Sequence, residues 1–212
     1  MLMIAILSGI VSGFCIKQII NWLCIDGYTI KKLNLFPELV CLISWVWAFK
    51  NLPTLESVTF ALIIALLVGI SMVDYHTMRI PAIFIMAGLA IIFGSIVMKI
   101  FPITPALWGI FVGAGIPLII MTSLWFITKR QGMGFGDIQL GIILGAWLGP
   151  MRMAITLFSA SLMSLFVWIC VSLIYGFNKD RAIPMGPFLS VAGGGTFIGS
   201  FYYPELFHLL II

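Results

Sequence analysis

Charge is what this sequence has least of: 8% of its 212 residues are Asp, Glu, Lys or Arg, and 62% are hydrophobic. A soluble domain carries about 25% charged residues, because its surface must stay hydrated. Eleven basic and seven acidic side chains cannot cover a globule of this size in water, but they can line the loops of a membrane bundle. The mean hydropathy of +1.21 points the same way. The expected fold is all-α, a polytopic membrane helix bundle. The net charge of +4 is not read as a nucleic-acid footprint, since basic loop residues in such a bundle set topology.

Cysteine is scarce too. Cys15, Cys24, Cys41 and Cys170 lie 9, 17 and 129 residues apart, and no C-x-x-C pair occurs. That spacing excludes a zinc knuckle and a dithiol redox pair, and buried, inert thiols are the expectation. No metal and no other cofactor is expected. Repeats, low-complexity tracts and soluble linkers are absent, so residues 1–212 read as a single membrane-embedded domain. The N-terminus has no basic n-region and reads poorly as a cleaved signal. In Ser12-Gly13-Phe14-Cys15, Phe14 stands where a lipoprotein cleavage box requires a small residue. The first segment is therefore expected to be a retained helix.

A helix needs about 20 apolar residues to cross the hydrocarbon core. Candidate spans are 2–25, 35–50, 54–73, 82–101, 105–128, 137–150, 154–177 and 186–210, about eight transmembrane helices, with six or seven as alternatives. The apolar run after Asp137 is interrupted at Gly149-Pro150 and reads as a helical hairpin. Alternate loops hold Lys31, Lys32, Arg79, Lys129, Arg130, Lys179 and Arg181, while the opposite set holds Lys50, Lys99 and Arg152. That bias assigns the first set to the cytoplasm and both termini to the outside.

Of the acidic residues, Asp26, Glu38, Glu56, Asp180 and Glu205 read as interfacial solvation. Asp74 and Asp137 differ in context: Asp74 ends the third span in SMVDYHTMRIP, and Asp137 opens the sixth in QGMGFGDIQL. Two spans separate them, which puts both on one face of the membrane. An ionisable group near membrane depth defaults to a functional hypothesis. Two carboxylates brought close share one proton, leaving one as general base and one as acid. Gly132, Gly134 and Gly136 alternate before Asp137 and offer a backbone that a substrate chain can approach closely. Asp137 would then lie near a helix N-terminus, where the dipole favours an anion. Arg79-Ile80-Pro81 fits a short loop with proline in the first turn of the next helix.

The segment Gly132-Met133-Gly134-Phe135-Gly136-Asp137-Ile138-Gln139-Leu140 resembles the G-x-G-D signature of the type IV prepilin peptidases. Val73-Asp74-Tyr75-His76-Thr77, running on to Ile80-Pro81, resembles that family's first aspartate motif, and Ile183-Pro184-Met185-Gly186-Pro187-Phe188 its late I-P-x-G-P-F element. The three occur in family order. The resemblance implies a membrane aspartic endopeptidase of the bacterial inner membrane, active at the cytoplasmic face. It would cleave short basic leaders from prepilin or pseudopilin precursors, with membrane lipids as its surroundings. Asp74 and Asp137 carry over as the catalytic pair, and Gly134 and Gly136 as motif glycines for substrate approach. The late element reads as a loop entering the last helix.

Many family members carry two C-x-x-C pairs between the first and second spans, associated with N-methylation. This chain has a short loop there, so peptidase activity without methylation is expected. His76 and Gln139 stand where the family often has an acidic residue and a lysine, and His76 reads as a solvated loop residue. Asp26 and Asp180 are candidates to meet the basic leader. Two other classes fit parts of the pattern. A proton-coupled transporter would need further polar groups at mid-span, where spans 82–101 and 154–177 offer only Ser and Thr. A non-catalytic pilus or secretion assembly subunit would have no need of Asp137 in a glycine-rich loop. No sequence signal sets an oligomeric state.

Overall fold

The computed structural model describes residues 2–31, 33–129, 134–178 and 182–209. Among them every regular element is helical: α1 (Leu2–Leu23), α2 (Phe36–Asn51), α3 (Thr54–Thr77), α4 (Ala82–Val97), α5 (Ile103–Ile110), α6 (Ile116–Thr128), α7 (Phe135–Tyr175), α8 (Gly186–Tyr202) and α9 (Pro204–Leu209). Among the described residues, four helical runs are long and apolar enough to cross a membrane: Leu2–Leu23, Thr54–Thr77, Ile103–Ile127 and Phe135–Tyr175. Large side chains such as Ile4, Val11, Phe93, Phe126 and Phe166 are turned outward and exposed. Water would penalise that arrangement, whereas hydrocarbon is as apolar as the side chains themselves. The helices pack in two compact units, Met1–Phe101 and Pro102–Ile212.

In the N-terminal unit, α1 and α2 pack antiparallel along a seam of small residues. Ala5, Gly9, Gly13 and Lys17 recur every fourth position and share one face of α1, and all four are buried. A Cβ on Gly9 would collide with the backbone of Leu42, and one on Gly13 with the backbone of Glu38. This close approach is how membrane helices gain dispersion contact when burial from water no longer drives them together. Trp45 Nε1 donates to Ser12 Oγ across the seam at 3.1 Å. The turn from α2 to α3 is tied by Ser57, whose hydroxyl reaches the carbonyls of Ala48, Leu52 and Pro53 at 2.9–3.0 Å. Helix α4 then packs antiparallel to α3 through Phe84 against Gly69 and Thr59 against Ser95 at 3.2 Å.

In the C-terminal unit, α5 runs through a π-helical turn, Phe111–Gly115, into α6. Gly109 lies against the Gly145 carbonyl and Gly113 against that of Gly141. Helix α7 contains one non-helical residue, Gly149, at φ 76° and ψ 174°. Positions adjacent to Gly113 and Gly193 reveal the path. Gly113 has both Gly141 and Met153 beside it, and Gly193 has both Leu144 and Thr156. Twelve residues span about 18 Å along a straight helix, so the chain reverses at Gly149-Pro150. The break forms a hairpin, as the Gly-Pro step implied, with no loop between its arms. Helix α8 packs on this hairpin through Trp147 and Phe197, stacked with centroids 4.8 Å apart.

Candidate active site

Helix α3 extends four residues beyond the expected end at position 73, and finishes at Thr77. The polar run Asp74-Tyr75-His76-Thr77 is therefore a last helical turn rather than a loop. Its backbone bonds continue inside the helix, and the Thr77 hydroxyl donates to the Val73 carbonyl at 2.9 Å. Met78 closes the helix in the left-handed conformation (φ 52°) and its N–H donates to the Asp74 carbonyl at 2.8 Å. Pro81 is the N-cap of α4, one position before the first turn assigned to it. Asp74 is 4% exposed, while Tyr75, His76 and Arg79 are exposed. Burying a carboxylate near the negative end of a helix costs free energy on both counts.

Asp137 has the opposite setting. It is the third residue of α7, and its Oδ2 accepts the N–H of Gly134, the N-cap, at 3.2 Å. Its own N–H donates to the Gly134 carbonyl at 3.1 Å. The carboxylate thus caps the helix whose N-terminal dipole favours it. Gly134 serves this directly, because a Cβ there would approach Asp137 Oδ2 to 3.1 Å. Asp137 and Gly136 are half-buried. Gly132 lies outside the described residues, as does Asp180. Asp74 belongs to the N-terminal unit and Asp137 to the C-terminal unit.

Two readings of polar residues change, and a third residue gains a partner. Glu38 is not an interfacial solvated group: it is buried and ion-paired with Lys17 of α1. The i, i+4 series Gly9-Gly13-Lys17 carried that signal, since it sets Lys17 on the same face as the packing glycines. His76 is not a loop histidine but part of α3, with Nδ1 2.9 Å from the Met72 carbonyl and its ring stacked on Tyr28, centroids 4.1 Å apart. Asp26 is exposed, yet it is paired with Arg79 at 3.0 Å. Tyr28 has no periodicity or motif to mark it in the sequence; burial pushes its phenol pKa up. All four cysteines are free thiols. Among the described residues no group of three or more His, Cys, Asp or Glu could hold a metal ion.

Helical runs long and apolar enough to cross a membrane, an aspartate buried in a helix end and a second capping a glycine-led helix together define a helical membrane protein with two candidate catalytic carboxylates. The family model of the type IV leader peptidases matches residues 60–177, which include both. The chain belongs to the type IV leader peptidase family.

Similar proteins carry the name prepilin leader peptidase/N-methyltransferase. That of Aeromonas hydrophila is 28% identical over 159 residues, covering 73% of this chain and 54% of its own length. That of Pseudomonas putida is 27% identical over 159 residues, covering 72% and 53%. That of Stutzerimonas stutzeri is 25% identical over 193 residues, covering 82% and 63%. The chain spans between half and two thirds of the length of these relatives. No solved structure matches it.

Proposed function

We propose that this chain is an aspartic endopeptidase of the bacterial inner membrane that removes the short basic leader of prepilin or pseudopilin precursors at the cytoplasmic face. The observation that carries the reading is Asp137, capping α7 behind Gly134 inside a glycine-rich element that lies within the family match. The second carboxylate is Asp74, buried in the last turn of α3. One of the two takes a proton from water, whose oxygen adds to the leader's scissile carbonyl carbon. The other gives its proton to the carbonyl oxygen. As the tetrahedral intermediate collapses, the C–N bond breaks and the amine leaves with a proton. Gly134 and Gly136 leave room for the extended substrate backbone.

The membrane arrangement proposed with this function has about eight spans. Helices α1 to α4, the α5–α6 run, the two arms of α7 and α8 would supply the segments, and the Lys/Arg bias of the loops supports a cytoplasmic location for the ends bearing Asp74 and Asp137. Methylation of the trimmed product is not proposed, since the loop between α1 and α2 lacks the paired cysteines associated with it.

The test is co-expression of the chain with a candidate prepilin in a host lacking its own leader peptidase, followed by mass spectrometry of the pilin N-terminus. Leader removal with an unmodified new N-terminus is the expected result. An intact leader at normal membrane levels of both proteins would overturn the peptidase reading, and a methylated N-terminus would overturn the restriction to cleavage.

A further inference from the structure

The segment joining α1 to α2 is built onto the end of the N-terminal unit that carries Asp74. Tyr28 stacks on His76 of the last α3 turn, with ring planes 20° apart. Asn21 clamps Ile30 by accepting its N–H at 2.6 Å and donating to its carbonyl at 3.2 Å. Between these anchors Cys24, Asp26 and Gly27 have φ of 41°, 50° and 78°, a reversal that leaves Asp26 exposed at its tip. Arg79 Nη1, from the loop after α3, donates to Asp26 Oδ1 at 3.0 Å.

Negative charge at this end of the unit is sparse, although Arg79 and Lys31 are exposed there. Glu38 is buried with Lys17, Glu56 lies in the first turn of α3 at the opposite end, and Asp74 is buried. Among the described residues of this unit, Asp26 is thus the exposed carboxylate on the Asp74 end. Its partner is weakly committed: the Asp26 and Arg79 side chains are 47% and 68% exposed, and such surface pairs contribute little. Exchanging the guanidinium of Arg79 for another cation on the same carboxylate is therefore nearly isoenergetic. The anchored turn keeps the carboxylate in place throughout the exchange.

We propose that Asp26 is a specificity-determining residue that receives a cationic side chain of the peptide substrate, and that Arg79 is an internal competitor occupying the same carboxylate. This rests on the reading above that the substrate brings a basic leader to the Asp74 end. It gives the two residues opposite signs, each larger than the shift that the same change of net charge produces at a remote exposed cation such as Lys99. Removing Asp26 deletes the acceptor and leaves an unpaired repelling cation, whereas removing Arg79 frees the acceptor and lifts the repulsion.

The test is equilibrium binding of a lysine-rich peptide to the purified full chain in nanodiscs of zwitterionic lipid at low salt. We expect Arg79→Gln to bind about 3- to 5-fold tighter than wild type and Asp26→Asn about 3- to 5-fold weaker, with both differences lost near 1 M salt. Shifts of the same sign in both variants, none in either, or a tightening in Arg79→Gln no larger than in the remote control Lys99→Gln, would overturn the proposal and leave the pair as a fastening of the turn. Prepilin cleavage measured on the same preparations separates this from the peptidase reading. Opposite binding shifts without cleavage by any of them would sink the peptidase and keep Asp26 as the acceptor. Cleavage with unshifted binding would do the reverse.

Discussion

Gly134 has a role that its place in the G-x-G-D element made visible and that only the geometry explains. The sequence pattern implied a backbone open to substrate. The structure adds that the Asp137 carboxylate occupies the space a side chain would take, with Oδ2 on the Gly134 N–H. A methyl group at 3.1 Å from that oxygen is tighter than ordinary contact, so the carboxylate must turn away or lengthen its bond. Gly134→Ala should therefore lower kcat/KM for leader cleavage by about tenfold or more, since small displacements of catalytic groups are costly, while membrane levels stay normal. Unchanged kcat/KM would show that the cap does not orient Asp137. Gly94, whose Cβ would meet nothing within 4 Å, is the matched control. At the same scale, the sequence concealed the surroundings of Asp74. Tyr75, His76 and Thr77 look like loop residues because they are polar, and the backbone carries the helix through them regardless.

Helix pairing was partly legible. Hydrophobic runs gave the approximate positions of the helices, and Gly149-Pro150 gave the reversal within α7. What the runs could not give is which faces meet, because in an apolar chain the outward faces are as hydrophobic as the inward ones. Small residues mark the contacts instead: Gly9 and Gly13 against α2, and Gly109 and Gly113 against Gly145 and Gly141. The Lys17–Glu38 pair extends the first of these seams. Removing one member of a buried pair strands the other charge in a low-dielectric seam and costs about 3–5 kcal/mol, whereas replacing both by apolar groups of similar volume is close to neutral. Lys17→Met and Glu38→Met are thus expected to lower the unfolding midpoint of the detergent-solubilised chain markedly as single variants. The double variant should recover most of the loss. Additive losses in the double variant would mean that the two residues act independently, with no coupling between them.

For the whole molecule, composition alone fixed the membrane class, and motif order led to the family that the comparison bears out over residues 60–177. The four longest apolar helices follow from hydrophobic length. Helices of 16 or 17 residues such as α2, α4 and α8 fall short of the roughly 20 residues of a full span, so hydropathy alone leaves their membrane role open. The chain divides its candidate catalytic groups between two compact units, Asp74 in the first and Asp137 in the second. Both carboxylates are needed by the proposed chemistry, one as base and one as acid. The most direct measurement is leader cleavage of a prepilin by wild type, Asp74→Asn and Asp137→Asn at matched membrane levels. The account predicts a loss of at least about a hundredfold in kcat/KM for each variant. Cleavage by either variant at the wild-type rate would contradict it.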